Sequence, residues 1–144
     1  MNNNTLSKRS QPDVLRKLIS VHRQFQEELD IITTSNIDPV FVDGLIELRK
    51  FNISCINRYS AMITKSSMDL IMPQSETMVK LISTEDEHMW KIHHELSTMV
   101  QIYTTEIISG DISEFNRMVI ARNLDIIINQ KDEILHPITT IELS

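Results

Sequence analysis

Breakers are scarce in this chain: two glycines and four prolines in 144 residues. A β-rich fold of this length needs many tight turns, so their shortage favours long helices. A single cysteine, Cys55, excludes an internal disulfide and suits a reducing compartment. No run approaches the roughly 18 apolar residues of a membrane span. The opening residues Met1 to Thr5 are polar and Asn-rich, unlike a secretory signal. Cytoplasmic residence is the resulting expectation, with no membrane partner. The net charge of −6 argues against nucleic acid as the main ligand, because phosphate contacts need a basic surface. One stretch is locally basic (Lys8, Arg9, Arg16, Lys17, Arg23). It reads as a solvated helix start or as a contact for an anionic partner. There is no phosphate loop, nucleophile elbow, zinc ribbon or paired catalytic carboxylate motif, so neither enzyme activity nor a cofactor is expected.

What the chain does have is helical periodicity. Its length fits one domain able to bury roughly two-thirds of its unfolded surface. We read residues 1–11 as a flexible N-terminal segment, 12–137 as a bundle and 138–144 as a tail. In the first helix, about Pro12 to Ile32, Leu15, Leu18, His22, Phe25, Leu29 and Ile32 recur at steps of three and four, on one face. Asp38-Pro39 predicts an N-cap with proline in the first turn of the second helix. That helix carries Phe41, Leu45, Leu48, Cys55, Tyr59, Met62, Ile63 and Leu70, and Pro73 ends it.

Ser75 can cap a third helix reaching Ile108. Its inward stripe is read as Met78, Leu81, Glu85, His88, Ile92, Leu96, Met99, Tyr103 and Ile107. Ser109-Gly110 stops it, with glycine suited to a left-handed C-terminal position. Asp111 and Glu114 have capping-box spacing for a fourth helix, which holds Phe115, Ile120, Leu124, Ile127, Ile128, Ile134 and Leu135 before Pro137. The β-branched run Ile126 to Ile128 is its weakest helical feature, but a lone strand would have no partner. Four amphipathic helices joined by short loops predict an all-α, up-and-down antiparallel four-helix bundle.

The halves echo each other. Lys17-Leu18-Ile19-Ser20 is matched by Lys80-Leu81-Ile82-Ser83, and Asp69-Leu70-Ile71-Met72-Pro73 by Glu133-Ile134-Leu135-His136-Pro137. A duplicated helical hairpin implies pseudo-two-fold symmetry and a shared centre lined by all four helices. With Leu18-Ile19-Ser20-Val21-His22 and Glu85-Asp86-Glu87-His88 added, the pattern resembles the hemerythrin-like, His-His-Glu cation-binding family over about Val14 to Pro137. The resemblance implies a histidine inside the first and third helices, and H-x-x-x-E motifs on the second and fourth that complete a di-iron site. It also implies oxygen-binding or nitrosative-stress chemistry. The H-x-x-x-E positions fall here near Ile63 and Ser67, and near Ile127 and Lys131. None of these four side chains can ligate iron as the family's residues do, so a di-iron site with bridging carboxylates is not expected.

The candidate polar core is therefore His22, Tyr59, Glu85, His88 and Lys131. His22 and His88 read as core histidines bonded to Tyr59 or Glu85. Alternatively, His22, Glu85 and His88 form a remnant mononuclear metal site, Glu85 and His88 being spaced to aim at one point. A third reading has Lys131 paired with Glu85 where a metal once sat, against the plainer one of Lys131 reaching outward. His93 and His94 belong at the surface, where with His136 they could form a pH-responsive patch. Cys55 belongs in the core. Met62, Met68, Met72, Met78, Met89 and Met99 read as packing, or as an adaptable groove for a partner.

Three functions follow. The first is a non-enzymatic regulatory or adaptor protein, using a hemerythrin-like bundle without its di-iron site to bind another protein or a second copy of itself. The second is a metal or gas sensor with a remnant site. The third is a helical secretion chaperone or anti-sigma-type binding protein.

Overall fold

The computed structural model describes residues 9–34, 38–64 and 87–134. They form four helices: α1 (Gln11–Thr33), α2 (Val42–Thr64), α3 (Glu87–Ser109) and α4 (Glu114–Asp132). No strand occurs among the described residues, and the run Ile126 to Ile128 is helical. The chain is an all-α four-helix bundle, as its periodicity predicts. Among the described residues, no helix is long and apolar enough to cross a membrane.

The helix ends follow local chemistry. Ser10 caps α1 by accepting from the Asp13 amide at 3.3 Å, with Pro12 in the first turn. Asp38 accepts from the Val40 amide at 3.0 Å and Pro39 follows it, as expected. The turn they open is a short 3-10 segment, Pro39–Phe41, that runs directly into α2. At α4 the cap is Ser113, which accepts from the Asn116 amide. The expected Asp111 lies two residues too early for the helix that forms. Leu70, Pro73, Ser75, the segment Lys80–Ser83, Glu85, Leu135, His136, Pro137 and the tail lie outside the described residues.

Each helix buries a seam with steps of three and four: Leu15, Leu18, His22, Phe25, Leu29 and Ile32 on α1, and Leu45, Leu48, Asn52, Cys55, Tyr59 and Met62 on α2. On α3 the seam is Met89, Ile92, Leu96, Met99, Tyr103 and Glu106. On α4 it is Asn116, Ile120, Asn123, Ile127 and Gln130, with Ile134 just beyond the helix end. The mean period of 3.5 residues is that of left-handed bundles, whose helices cross at about 20°. The stripe expected on α3 took steps of four at His88–Ile92 and Tyr103–Ile107, and so drifted off this seam. Met89 and Glu106 are the buried neighbours, whereas His88 and Ile107 are only half-buried. On α4 the expected Phe115 is exposed, and Leu124 and Ile128 are half-buried. They sit beside the seam, one step around the helix.

The helix directions follow from pairs at each end. Asp30 with Arg49 at 2.9 Å makes α1 and α2 antiparallel. Glu28 with Lys91 at 2.8 Å, and the bridge between Arg9 and Gly110 at the far end, make α1 and α3 antiparallel. The α3–α4 turn returns the chain beside α3. It follows that α2 and α3 run parallel, so that α2 ends and α3 begins at opposite ends of the bundle, where the expected up-and-down order would join them at one end by a short loop.

One end is stitched by backbone. Arg9 donates to the Ser109 carbonyl at 3.2 Å, and the Asp111 amide donates back to Arg9 at 2.8 Å. The Gln11 side chain accepts from the Ser113 amide at 2.7 Å, and Arg117 donates to the Ile107 carbonyl at 2.6 Å. Gly110 is buried in this knot with no positive φ. The left-handed conformation expected of it is absent; glycine is required here for space. A Cβ would stand 2.6 Å from the Glu106 carbonyl oxygen and 2.7 Å from Val14 Cγ2.

Two stability outcomes follow. Leu96→Ala or Phe25→Ala, at positions 0% and 1% exposed, should cost on the order of 3 kcal/mol in urea unfolding. A change within about 0.5 kcal/mol would remove them from the core. Gly110→Ala should cost about 1–3 kcal/mol although its backbone angle suits alanine. A neutral result would mean that the Arg9–Gly110 contact opens freely.

Candidate functional site

Polar side chains from all four helices meet in the middle of the bundle. His22 projects from α1, Asn52 and Tyr59 from α2, Tyr103 from α3 and Asn123 from α4, each no more than 1% exposed. They occupy seam positions, so the heptad period that builds the core also brings them together. The phenol of Tyr103 covers the axial offset to His22 because helical side chains lean toward their own N-terminus.

The hydrogen bonds have a single consistent direction. Asn52 Nδ2 donates to the His22 carbonyl at 2.8 Å and to Gln26 Oε1 at 3.0 Å, which orients its amide. Its Oδ1 then accepts from His22 Nδ1 at 2.6 Å, so the proton of the neutral ring sits on Nδ1. Nε2 is left as an acceptor, and the Tyr103 hydroxyl donates to it at 2.5 Å. Tyr59 donates to Tyr103 at 2.6 Å, and Asn123 Nδ2 donates to Tyr59 at 2.8 Å. Each bond polarises the next. The three rings also pack edge and tilt against one another, with centroids 5.6 to 6.4 Å apart.

Burial sets the electrostatics. It pushes the His22 pKa down to about 4, with the hydrogen bond to Asn52 opposing part of the fall. Burial also raises both tyrosine hydroxyls well above their ordinary range. Near neutral pH the row of hydrogen-bonded side chains is therefore uncharged. Cys55 is buried beside the tyrosines and touches their electrostatics, as expected of a core thiol.

Of the candidate residues, His22 and Tyr59 join this cluster, linked through Tyr103. His88 does not join them. It is half-buried in the first turn of α3, about 22 Å along the axis from Tyr103 at 1.5 Å per residue. His22 and His88 cannot share a metal, and both His22 nitrogens are already engaged. Lys131 is half-buried in the last turn of α4, about 12 Å axially from Asn123. Glu85 lies outside the described residues, and with it the proposed Lys131 pair. Among the described residues no three of His, Cys, Asp and Glu are grouped to hold a metal ion. Ile127 is buried and Ile63 half-buried, both incapable of ligation, while Ser67 is outside the described residues. His94 is exposed, and His93 packs edge-on against Trp90 at 5.8 Å. Met62, Met89 and Met99 are core; Met68, Met72 and Met78 fall outside the described residues.

Sequence reasoning missed Asn52 and Asn123 as well as the other amides on α4. Asn116, Asn123 and Gln130 recur every seven residues, each four before an isoleucine of the seam. That spacing was the available signal. Among the described residues, Asn123 Oδ1, Asn116 Oδ1 and both amide atoms of Gln130 have no hydrogen-bond partner.

Linkage gives the pH dependence. The unfolded ring takes up a proton near its ordinary value of 6.5, while the folded ring does so only near 4. The unfolded state binds more protons between these values, so stability is full above pH 6.5 and falls as pH drops toward 4. The loss attributable to His22 should be on the order of 3 kcal/mol, read from urea midpoints across that range. In His22→Gln the same component should vanish; an identical slope in both proteins would show that His22 is not buried neutral.

In comparison with known proteins, the chain matches no family model, no curated protein and no solved structure.

Proposed function

We propose that this chain is a non-enzymatic regulatory or adaptor protein that works by protein–protein contact, with the bundle as its scaffold. One observation carries the reading: the polar centre is sealed, neutral and bonded to itself. A catalytic group has to reach substrate with a usable proton or lone pair. Here the imidazole spends one nitrogen on Asn52 and the other on Tyr103. Buried amide and hydroxyl networks of this sort specify register and a unique packing. The surface carries exposed apolar side chains as well, among them Ile31, Val40, Trp90, Ile108 and Met118, which is where a partner-binding protein spends its hydrophobic area.

The hemerythrin-like resemblance enters as a scaffold: a bundle whose would-be ligand positions Ile63 and Ile127 are aliphatic. Cytoplasmic residence belongs to the same proposal, since a lone buried thiol suits a reducing compartment. The remnant metal or gas sensor is less well supported, because it needs His22 to give up a hydrogen bond and His88 to lie far closer. A helical chaperone or anti-sigma-type role shares the protein-binding chemistry proposed.

The interior and the function should separate. Tyr103→Phe leaves His22 Nε2 and the Tyr59 hydroxyl without their partner, which should cost about 1–3 kcal/mol. Provided the variant remains folded by circular dichroism, quantitative crosslinking in cells should recover the same partners as the wild type. Metal analysis of protein purified without chelator should give less than about 0.2 ion per chain, since a bound ion would need deprotonated ligands the centre does not offer. Stoichiometric metal, or an activity that disappears in folded Tyr103→Phe, would overturn the reading.

A further inference from the structure

The outer face of α1 carries a second heptad, distinct from the seam that builds the core. Arg16, Ser20, Arg23 and Glu27 follow one another at steps of four, three and four. They form one wall of an open groove of about 690 Å³ whose other wall is the last turn of α2, at Ser60 and Thr64. Ile19 and Ile63 supply apolar surface within it. The volume lies in the range of binding clefts.

The charges along this wall are not used by the fold. Elsewhere on the bundle several exposed cations are paired, Arg49 with Asp30, Lys50 with Glu47 and Lys91 with Glu28, although exposed Lys17 beside Arg16 has no such partner among the described residues. Arg23 has no hydrogen bond or ion pair among the described residues. It does not pair even with Glu27, one turn away. Arg16 reaches Asp13 only by a solvent-exposed contact at 3.2 Å. Two arginines whose helix positions lie about 10.5 Å apart along the axis at 1.5 Å per residue thus stand on a protein of net charge −6.

A seven-residue spacing of like charge beside an apolar strip is how one helix presents itself to another. Apolar positions pack, and flanking charges choose the partner and its register. We infer that the groove between α1 and α2 docks an amphipathic helix of a partner protein, bearing acidic residues seven apart that meet Arg16 and Arg23. Leucine or isoleucine between those acids would cover half-buried Ile63 and the small edge of Ile19 that the core leaves exposed. Glu27 adds a repulsive element: it rejects a third acid one turn beyond Arg23 and accepts a lysine there, which fixes the direction of the bound helix.

The inference rests on the protein-binding reading and supplies the chemistry of the partner. Two synthetic helical peptides test it. One places Glu at positions i and i+7, Lys at i+11 and Leu between them; the other reverses every charge. Titrated into full-length protein labelled for NMR, the first should shift the amides of Ser20, Arg23, Ser60 and Thr64 with a Kd of about 10–100 µM, and the second should bind at least tenfold more weakly. Arg16→Glu/Arg23→Glu, both at exposed positions, should invert that preference with an unchanged melting temperature. Equal binding of both peptides, or none by the first, would overturn the inference. So would the same shifts produced by inorganic phosphate alone, which would mark a simple anion site. Sedimentation as a dimer that the double reversal dissociates would also overturn it, making a second copy the occupant. Failure of the peptides alongside unchanged crosslinked partners in the double reversal would sink the groove and leave the adaptor reading standing.

Discussion

His22 can occupy the middle of an apolar bundle only because both of its ring nitrogens are bonded. An unpaired imidazole there would lose the solvation of its donor and its acceptor, a penalty of a few kcal/mol set against a total stability of about 5–15 kcal/mol. That single requirement propagates. Asn52 Oδ1 must face Nδ1, which commits its Nδ2 to the α1 backbone at His22 and locks α2 against α1. Nε2 must then receive a hydroxyl, which brings Tyr103 and hence α3 to the same point. Tyr103 needs a donor of its own, found in Tyr59, and Tyr59 finds one in Asn123 of α4. A chain that began with one buried ring ends by fixing the relative height of all four helices. Hydrophobic seams alone would allow each helix to slide by a heptad at little cost.

The amides of α4 extend this logic and complicate it. Asn116, Asn123 and Gln130 occupy alternate seam positions, with isoleucine at the others. Apolar burial per turn on α4 is correspondingly lower than on α1, whose seam is apolar except for His22. Packing reflects this difference: α4 lies mainly against α3, and its bond to α2 runs through the Asn123–Tyr59 contact. Of its three buried amides only Asn123 bonds to another helix among the described residues, and that bond ties α4 to the central chain.

How far the sequence showed all this depended on the kind of side chain. The α1 seam was legible residue for residue, because five of its six members are large and apolar and the sixth falls in step. The four helices and the Asp38-Pro39 start were likewise readable from spacing and capping chemistry. On α4 the pattern reading failed. A hydrophobic stripe drawn through Phe115, Leu124 and Ile128 rejects amides as inward residues, and the true seam alternates amide with isoleucine. On α3 one step of four in place of three moved the inward position from Met89 to His88. The resulting error of about 100° turned a half-buried residue into an apparent ligand. Gly110 was recognised as a helix stop for the wrong reason: the need was room beside Val14 and the Glu106 carbonyl, a tertiary fact with no local signature.

A bundle that holds a metal and one that holds a hydrogen-bonded chain meet the same packing problem at the centre. A bundle centre lined by all four helices is a general solution for placing several side chains within bonding distance of one point. What occupies that point is decided by charge. Carboxylates and free imidazoles in a dry core repel or stay unsatisfied until a cation joins them. Neutral donors and acceptors that alternate, as from Asn123 Nδ2 through Tyr59, Tyr103 and His22 to Asn52, bond to one another with no ion between them. The same geometry thereby becomes a structural rivet. To admit a metal this centre would have to break the bond at His22 Nε2, leave the Tyr103 hydroxyl without an acceptor, and ionise the buried Cys55 thiol or draw in Glu106, which lies one turn beyond Tyr103 and already pairs with Arg9. Each of those side chains holds a neighbouring helix in register, so a change at the centre would be felt by all four.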